Sequence, residues 1–330
     1  MVDDANMKRL RAGLSALALS GLSLVAGCGG APSAEPSTAP APAARATPSA
    51  EEDVLLPGAE QIHVKTPDGV SIAVQKWGNP QGQEILFVHG LSQSHLSWAA
   101  QIKSPLAERF RIVTYDLRGH GASGKPTEAV YYKEGRRWGD ELEAVIDGAG
   151  LKRPVVVGWS LGGLVMTNYL RAYGDQGLAG VVFVAAVTRF DPALLGSVPP
   201  LASEDLSTRL GAMRQFLRDC FVVPPPPAQF ETMLAYNAMV PIELHAVVGQ
   251  MGHEGADEAL RALSIPALVI QGEQDRLVKS AMATRTASLV RGARLSMYEG
   301  IGHAPFYEAR ERFNTELAGF VSEANRARGN

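Results

Sequence analysis

The stretch LKRPVVVGWSLGGLVM, residues 151–166, decides how this chain is read. Residues 155–157 are an unbroken β-branched run, which suits a strand buried on both faces, and residues 161–170 carry apolar side chains at helical spacing. Ser160 therefore stands where strand becomes helix, bracketed by Gly158 and Gly162. Gly-x-Ser-x-Gly at such a junction makes a turn that admits only small neighbours and lifts the hydroxyl above the sheet as a nucleophile. The competing reading is a small polar residue in a glycine-rich turn. The nucleophile reading carries requirements that the other does not. An acid and then a histidine must follow later strands, and an upstream loop must offer a second backbone N–H.

The rest of the chain has the rhythm this demands. Residues 61–66 and 70–77 alternate apolar and polar side chains across Pro67-Asp68-Gly69, the pattern of an antiparallel hairpin. Short apolar runs at 85–88, 112–115, 155–157, 181–184, 267–270 and 295–298 are then separated by helical segments. That pattern predicts a mostly parallel, doubly wound α/β sheet, in which ligands bind beyond the C-terminal ends of the strands. Between about 190 and 263 the rhythm stops. Amphipathic segments at 206–221, 230–239 and 242–248, broken by prolines at 224–227, predict a helical cap inserted over the site. Met213, Phe216, Met233 and Tyr236 in that cap either line an acyl pocket or form plain core.

A net charge of −3 over 330 residues gives no reason to expect nucleic acid as a partner, and small ligands are the default. The N-terminus differs in kind. Lys8, Arg9 and Arg11 precede an apolar run at 14–25 that is short for a membrane span and fits the h-region of a signal peptide. Val25-Ala26-Gly27-Cys28 resembles the lipobox of bacterial lipoproteins, which implies cleavage before Cys28 and a lipid on that cysteine. The Ala/Pro/Ser-rich stretch that follows reads as a disordered tether. The expected organisation is a signal peptide at 1–27, a lipid-anchored tether at 28–59 and a folded domain at 60–325. Such a protein is exported and held to the cell envelope, at the outer membrane if the source has two membranes. Cys28 and Cys220 are the only cysteines, so no disulfide framework is implied.

Each requirement of the nucleophile reading finds a candidate. After the 85–88 run comes His89-Gly90-Leu91-Ser92, a turn at the place where the Leu91 N–H can join the Leu161 N–H as an oxyanion hole. His89 is read as structural, as is DLRGHGASGKP at 116–126, whose Arg118 and His120 are placed to bond neighbouring loops. With these motifs in hand, residues 60–325 resemble the α/β-hydrolase family, nearest to its bacterial esterases and cofactor-free haloperoxidases. The resemblance implies an acid after the next-to-last strand, where IPALVIQGEQDRLV (265–278) supplies Asp275. Asp191, after the 181–184 run, is the rival. The histidine is expected last, and MYEGIGHAPFYE (297–308) supplies His303.

In the order Ser160, Asp275, His303, the imidazole serves as general base, the carboxylate fixes its tautomer, and an acyl-enzyme forms. A serine at the nucleophile position argues against dehalogenase or epoxide hydrolase chemistry, which attack through a carboxylate. No metal constellation and no dinucleotide motif appears, so neither metal nor cofactor is expected. The expected activity is a serine hydrolase acting on a small-molecule carboxylic ester. Alternatives with the same triad are perhydrolysis in the manner of haloperoxidases, lactone hydrolysis and carbon–carbon bond hydrolysis. An anchored binding protein without turnover is a further alternative. Membrane contact is expected through the N-terminal lipid only, and the sequence carries no sign of oligomeric state.

Overall fold

The computed structural model describes residues 58–327. Cys28, the apolar run at 14–25 and most of the expected tether lie outside the described residues.

The chain opens with the expected hairpin. β1 (Glu60–Lys65) pairs antiparallel with β2 (Ser71–Gly78) across a turn in which the Thr66 and Val70 backbones bond each other. β3 (Gln83–Val88), β4 (Phe110–Tyr115), β5 (Val155–Trp159), β6 (Gly180–Val184), β7 (Ala267–Gly272) and β8 (Arg294–Tyr298) follow. Together they make one sheet in the order β1-β2-β4-β3-β5-β6-β7-β8, parallel from β4 onward. Each strand lies within two residues of its place in the sequence reading, because an unbroken apolar run such as Val155, Val156 and Val157 is comfortable only where both faces of the sheet are buried.

The sheet is covered on both faces, and alternation along the strands divides its side chains between two cores. Leu86, Val88, Val156 and Phe183 pack with Leu142 and Val145 of α1 (Gly135–Gly148) and with Leu164 and Val165 of α2 (Leu161–Tyr173). On the opposite face, Ile85, Phe87, Val155, Val157 and Val182 join residues of two cap helices and of the C-terminal helix. The cap helices are α3 (Leu206–Asp219), α4 (Pro227–Ala238) and α5 (Ile242–Val247), of which α3 and α4 reach this second core. A short α6 (Ala256–Arg261) leads back to β7, α7 (Ser280–Leu289) links β7 to β8, and α8 (Arg310–Ala327) closes the second core with Phe313, Leu317 and Val321. Each fully buried valine, leucine or phenylalanine contributes about 2 kcal/mol by leaving water, so the central strands anchor everything attached to their ends.

The helical insertion lies between β6 and β7, as expected, with one difference in detail. Pro227 is the first residue of α4, so that helix starts three residues earlier than its apolar spacing suggests. Proline suits that position because the first turn of a helix leaves its N–H groups unbonded.

Candidate active site

The strand order places the site before any side chain is considered. From β3 the chain moves outward to β4, then returns to the other side of β3 to form β5 and continues away through β6, β7 and β8. The crevice between the C-terminal ends of β3 and β5 is thus the switch point, where open α/β sheets bind ligands. The His-Gly-Leu-Ser turn leaves β3 there, and Ser160 leaves β5.

Ser160 has φ 54° and ψ −116°, a left-handed conformation that costs a non-glycine residue about 1–3 kcal/mol. Three backbone bonds hold it there. Its N–H donates to Val184 O at 3.0 Å, and its carbonyl accepts from Gly163 N and Val187 N at 2.9 Å each. The flanking glycine is required by crowding: a Cβ on Gly162 would sit 2.5 Å from Val88 O. The turn left by β3 presses equally close, since a Cβ on Gly90 would lie 3.0 Å from the Ser160 Cβ. Leu91 and Leu161 line the same cavity as Ser160. The Leu161 amide is the first of its helix and has no acceptor within it, and neither amide donates to the backbone elsewhere among the described residues.

Asp275 and His303 meet directly. His303 Nδ1 lies 2.8 Å from Asp275 Oδ2, with both side chains shut away from solvent. Asp275 is itself oriented by donors. The Leu277 and Val278 amides donate to Oδ1 at 2.8 and 2.9 Å, and the Gln271 side-chain amide donates to Oδ2 at 2.8 Å. The histidine loop is fixed from both sides: His303 N donates to Cys220 O of the insertion at 3.1 Å, and Trp159 Nε1 donates to His303 O at 2.8 Å. Trp159 immediately precedes Ser160, so one side chain binds the serine's strand to the histidine's loop. The Ser160 hydroxyl makes no hydrogen bond to the imidazole in this structure; contacts of this kind often tighten only when substrate is bound. The rival Asp191 is partly exposed. It bonds the Ala193 amide and lies 4.0 Å from Arg189, in a different part of the molecule's hydrogen bonding from His303.

Two further histidines brace the rim of the site. His89 Nε2 accepts from Leu117 N, and its Nδ1–H donates to Gly90 O. His120 repeats the arrangement in reverse, with Nε2 accepting from Ser92 N and Nδ1–H donating to Arg118 O. Each loop thus lends an imidazole to the other's backbone, which requires both rings to be neutral. Burial pulls His89 down to about 4, against the pull of Asp116, and takes His120 well below its ordinary value. Arg118 is held by a fully buried ion pair with Glu141 at 2.7 Å and by Asp68 at 2.8 Å. The 116–126 stretch is therefore scaffold, as its sequence suggests.

Above Ser160 lies a cavity of about 690 Å³. Its walls are mostly apolar, with Val187 and Phe190 after β6, Leu195, Val198, Leu201 and Phe216 from the insertion, and Leu277 and Val278 beside Asp275; no Asp, Glu, Lys or Arg lines it. Of the four cap residues singled out in the sequence, Phe216 lines this cavity. Met213, Met233 and Tyr236 are buried in the core behind it. Two features escaped the sequence reading. Gln271 is the polar member of an otherwise apolar strand, a visible signal of a side chain with a specific partner. His245 in α5 lines the cavity and contacts Ser92, and nothing in its local sequence distinguishes it. Among the described residues, no group of three or more His, Cys, Asp or Glu is placed to hold a metal ion.

Comparisons with known proteins bear on the family and the fold. The profile described as the Alpha/beta hydrolase family matches residues 85–316. A bifunctional esterase/perhydrolase of Acinetobacter calcoaceticus is 30% identical over 281 residues, covering 78% of this chain and 99% of that protein. A non-heme chloroperoxidase of Kitasatospora aureofaciens is 27% identical over 278 residues, covering 78% and 98%. Among solved structures, a Burkholderia cenocepacia protein assigned as an aryl esterase superposes with a TM-score of 0.79 at 43% identity. It covers 81% of this chain and all of that one.

Proposed function

Since the chain belongs to the alpha/beta hydrolase family, we propose that it is a serine hydrolase of small, uncharged carboxylic esters that works through an acyl-enzyme. The observation that carries this is the 2.8 Å contact between His303 Nδ1 and Asp275 Oδ2, set behind a strained Ser160 that opens into an apolar cavity. In this reading, His303 Nε2 takes the Ser160 proton as Oγ attacks the ester carbonyl. The Leu91 and Leu161 amides receive the oxyanion, and the imidazolium, stabilised by Asp275, returns the proton to the leaving alcohol. Water then repeats the sequence on the acyl-enzyme. An apolar wall without charged side chains favours neutral acyl or aryl groups over acids, because a charge placed there would lose its hydration without a partner.

A panel of chromogenic esters of graded acyl length, together with a fluorophosphonate probe, tests the proposal. Wild-type protein should turn over esters and be labelled once, and Ser160→Ala should lose both, with a fall in kcat of about a millionfold. Turnover that survives Ser160→Ala would falsify the mechanism. The Acinetobacter relative's second activity motivates a second reading, in which hydrogen peroxide replaces water as acyl acceptor. Peracid formation from the same esters, lost together with hydrolysis in Ser160→Ala, is its test.

For the N-terminus we infer lipidation at Cys28, on the strength of the preceding apolar run and small residues. Two or more acyl chains on one cysteine anchor a protein stably. Cys28→Ala should leave the membrane fraction for the soluble one. A variant that stays with the membrane shows the anchor to lie elsewhere.

A further inference from the structure

Ser92 follows the oxyanion candidate Leu91 and is fully buried, with φ 61°, a positive φ that disfavours any residue but glycine, as at Ser160. A strained residue stays in place only when its surroundings over-determine it. Here two imidazoles grip it from different elements. Its N–H donates to His120 Nε2 at 3.0 Å, within the sheet's own loops, and its Oγ lies 2.7 Å from His245 Nε2, on helix α5 of the cap. Gln93 N donates to Gly90 O, the carbonyl of the peptide that carries the Leu91 N–H, at 3.2 Å, so Ser92 sits inside that turn and its restraints help to fix it. His245 also lines the cavity beside Leu91 and Ser160, and its Nδ1 is buried without a partner. The ring thus makes a single hydrogen bond, and that bond goes to Ser92.

Resting on the ester hydrolase reading above, we propose that His245 is a positioning residue that ties the cap to the oxyanion hole. Its bond to Ser92 Oγ holds the Leu91 amide aimed at the developing oxyanion. The cap is then more than a wall for the acyl group. When α5 is seated, the donor is aimed; when α5 lifts, Ser92 loses one of its two restraints and the strained turn can relax. The effect belongs to the transition state, because the oxyanion forms only there.

The experiment compares His245→Phe, His245→Gln, Ser92→Ala and the double variant His245→Phe/Ser92→Ala in the full-length protein. Phenylalanine keeps the ring without the bond, whereas the glutamine amide reaches about as far as Nε2 and can restore it. Alanine at 92 removes the hydroxyl with no added backbone strain. His245→Phe and Ser92→Ala should each lower kcat about tenfold with KM within about twofold, a fraction of the loss when an oxyanion donor is removed outright. His245→Gln should recover to within about threefold of wild type, and the double variant should be no slower than either single one, as expected of two groups sharing one interaction. The second-order rate of fluorophosphonate labelling should fall in parallel, giving a readout independent of the ester chosen.

Thermal melts separate folding from positioning: if His245→Phe fails to fold, Ser92→Ala approaches the same bond from the other side. A loss of melting temperature with kcat unchanged would overturn the inference. So would an effect confined to KM, or losses that multiply in the double variant. Wild-type protein with neither ester turnover nor labelling would overturn this inference together with the reading it rests on. Active wild type with unimpaired variants would overturn the inference alone.

Discussion

The rim of the sheet and the cap above it are built on opposite plans. Among the described residues, three non-glycine residues have positive φ, and all sit just past strand ends at the rim: Ser92 after β3, Ser160 after β5 and Ala185 after β6. Ser160 and Ala185 are pinned by backbone bonds, Ala185 N to Ile270 O among them, Ser92 is held by the His120 and His245 imidazoles, and His89 braces the neighbouring loop. The cap has no such residues. It is short helices and loops that bury one side against the core and leave apolar side chains such as Leu206, Leu210, Val223 and Met239 exposed. It touches the rim at separate points, through Cys220 O to His303 N, Gly196 N to Leu277 O and His245 to Ser92. The contrast suits a division of labour under the proposed function, in which strain and hydrogen bonds at the rim position the reacting groups and apolar packing in the cap selects what is admitted.

The sharpest way to break that comparison is at the rim. Asp275→Asn keeps the donors' partner in place but presents His303 in the wrong tautomer, and kcat should fall about 10⁴-fold with little change in melting temperature. An active Asp275→Asn enzyme would show that the rim does not set the chemistry. Next in size is an acid effect. The folded pKa of His89 lies near 4, below the unfolded value of about 6.5, so the neutral ring's contribution is complete above pH 6.5 and is lost as the pH falls toward 4. Denaturant melts at pH 7.5 and pH 4 should differ by about 3 kcal/mol from this residue alone, with His120 adding in the same direction. A stability independent of pH across that window would mean the rim imidazoles are not buried neutral.

The cap should respond differently. Phe216→Ala should shift kcat/KM toward bulkier acyl groups by about tenfold relative to small ones. Met213→Ala, one turn earlier but behind the wall, should cost about 2–5 kcal/mol of stability and leave acyl preference alone. Equal shifts in preference from both would dissolve the distinction between wall and core. Smallest of all, Asp191→Asn should change kcat by less than about twofold, in keeping with a partly exposed side chain outside the His303 network.

How much of this was legible in the sequence follows the same division. The strands were legible because runs such as 155–157 and 181–184 have one comfortable environment, and the candidate triad residues because each follows such a run at a small-residue turn. The preference for Asp275 over Asp191 came from the family resemblance, and the contact with His303 supports it. The cap resisted. Met213, Phe216, Met233 and Tyr236 look alike as apolar residues on short helices, and which of them faces a cavity is settled by how the helices rotate against the sheet. His245 resisted for another reason: its partner lies 153 positions away, and no local pattern announces a contact of that span.

Trp159 offers a consequence of a different sort. Its indole nitrogen holds the His303 carbonyl, and its ring centroid lies 5.5 Å from that of the imidazole, with Trp98 edge-on at 6.5 Å. A protonated imidazole quenches indole emission at such range far more strongly than a neutral one. If His303 takes up the Ser160 proton as proposed, the Trp159 share of the emission, beside that of Trp77, Trp98 and Trp138, should dim and recover within a turnover. A stopped-flow trace of tryptophan emission during a single turnover would show when the proton arrives on the ring and when it departs.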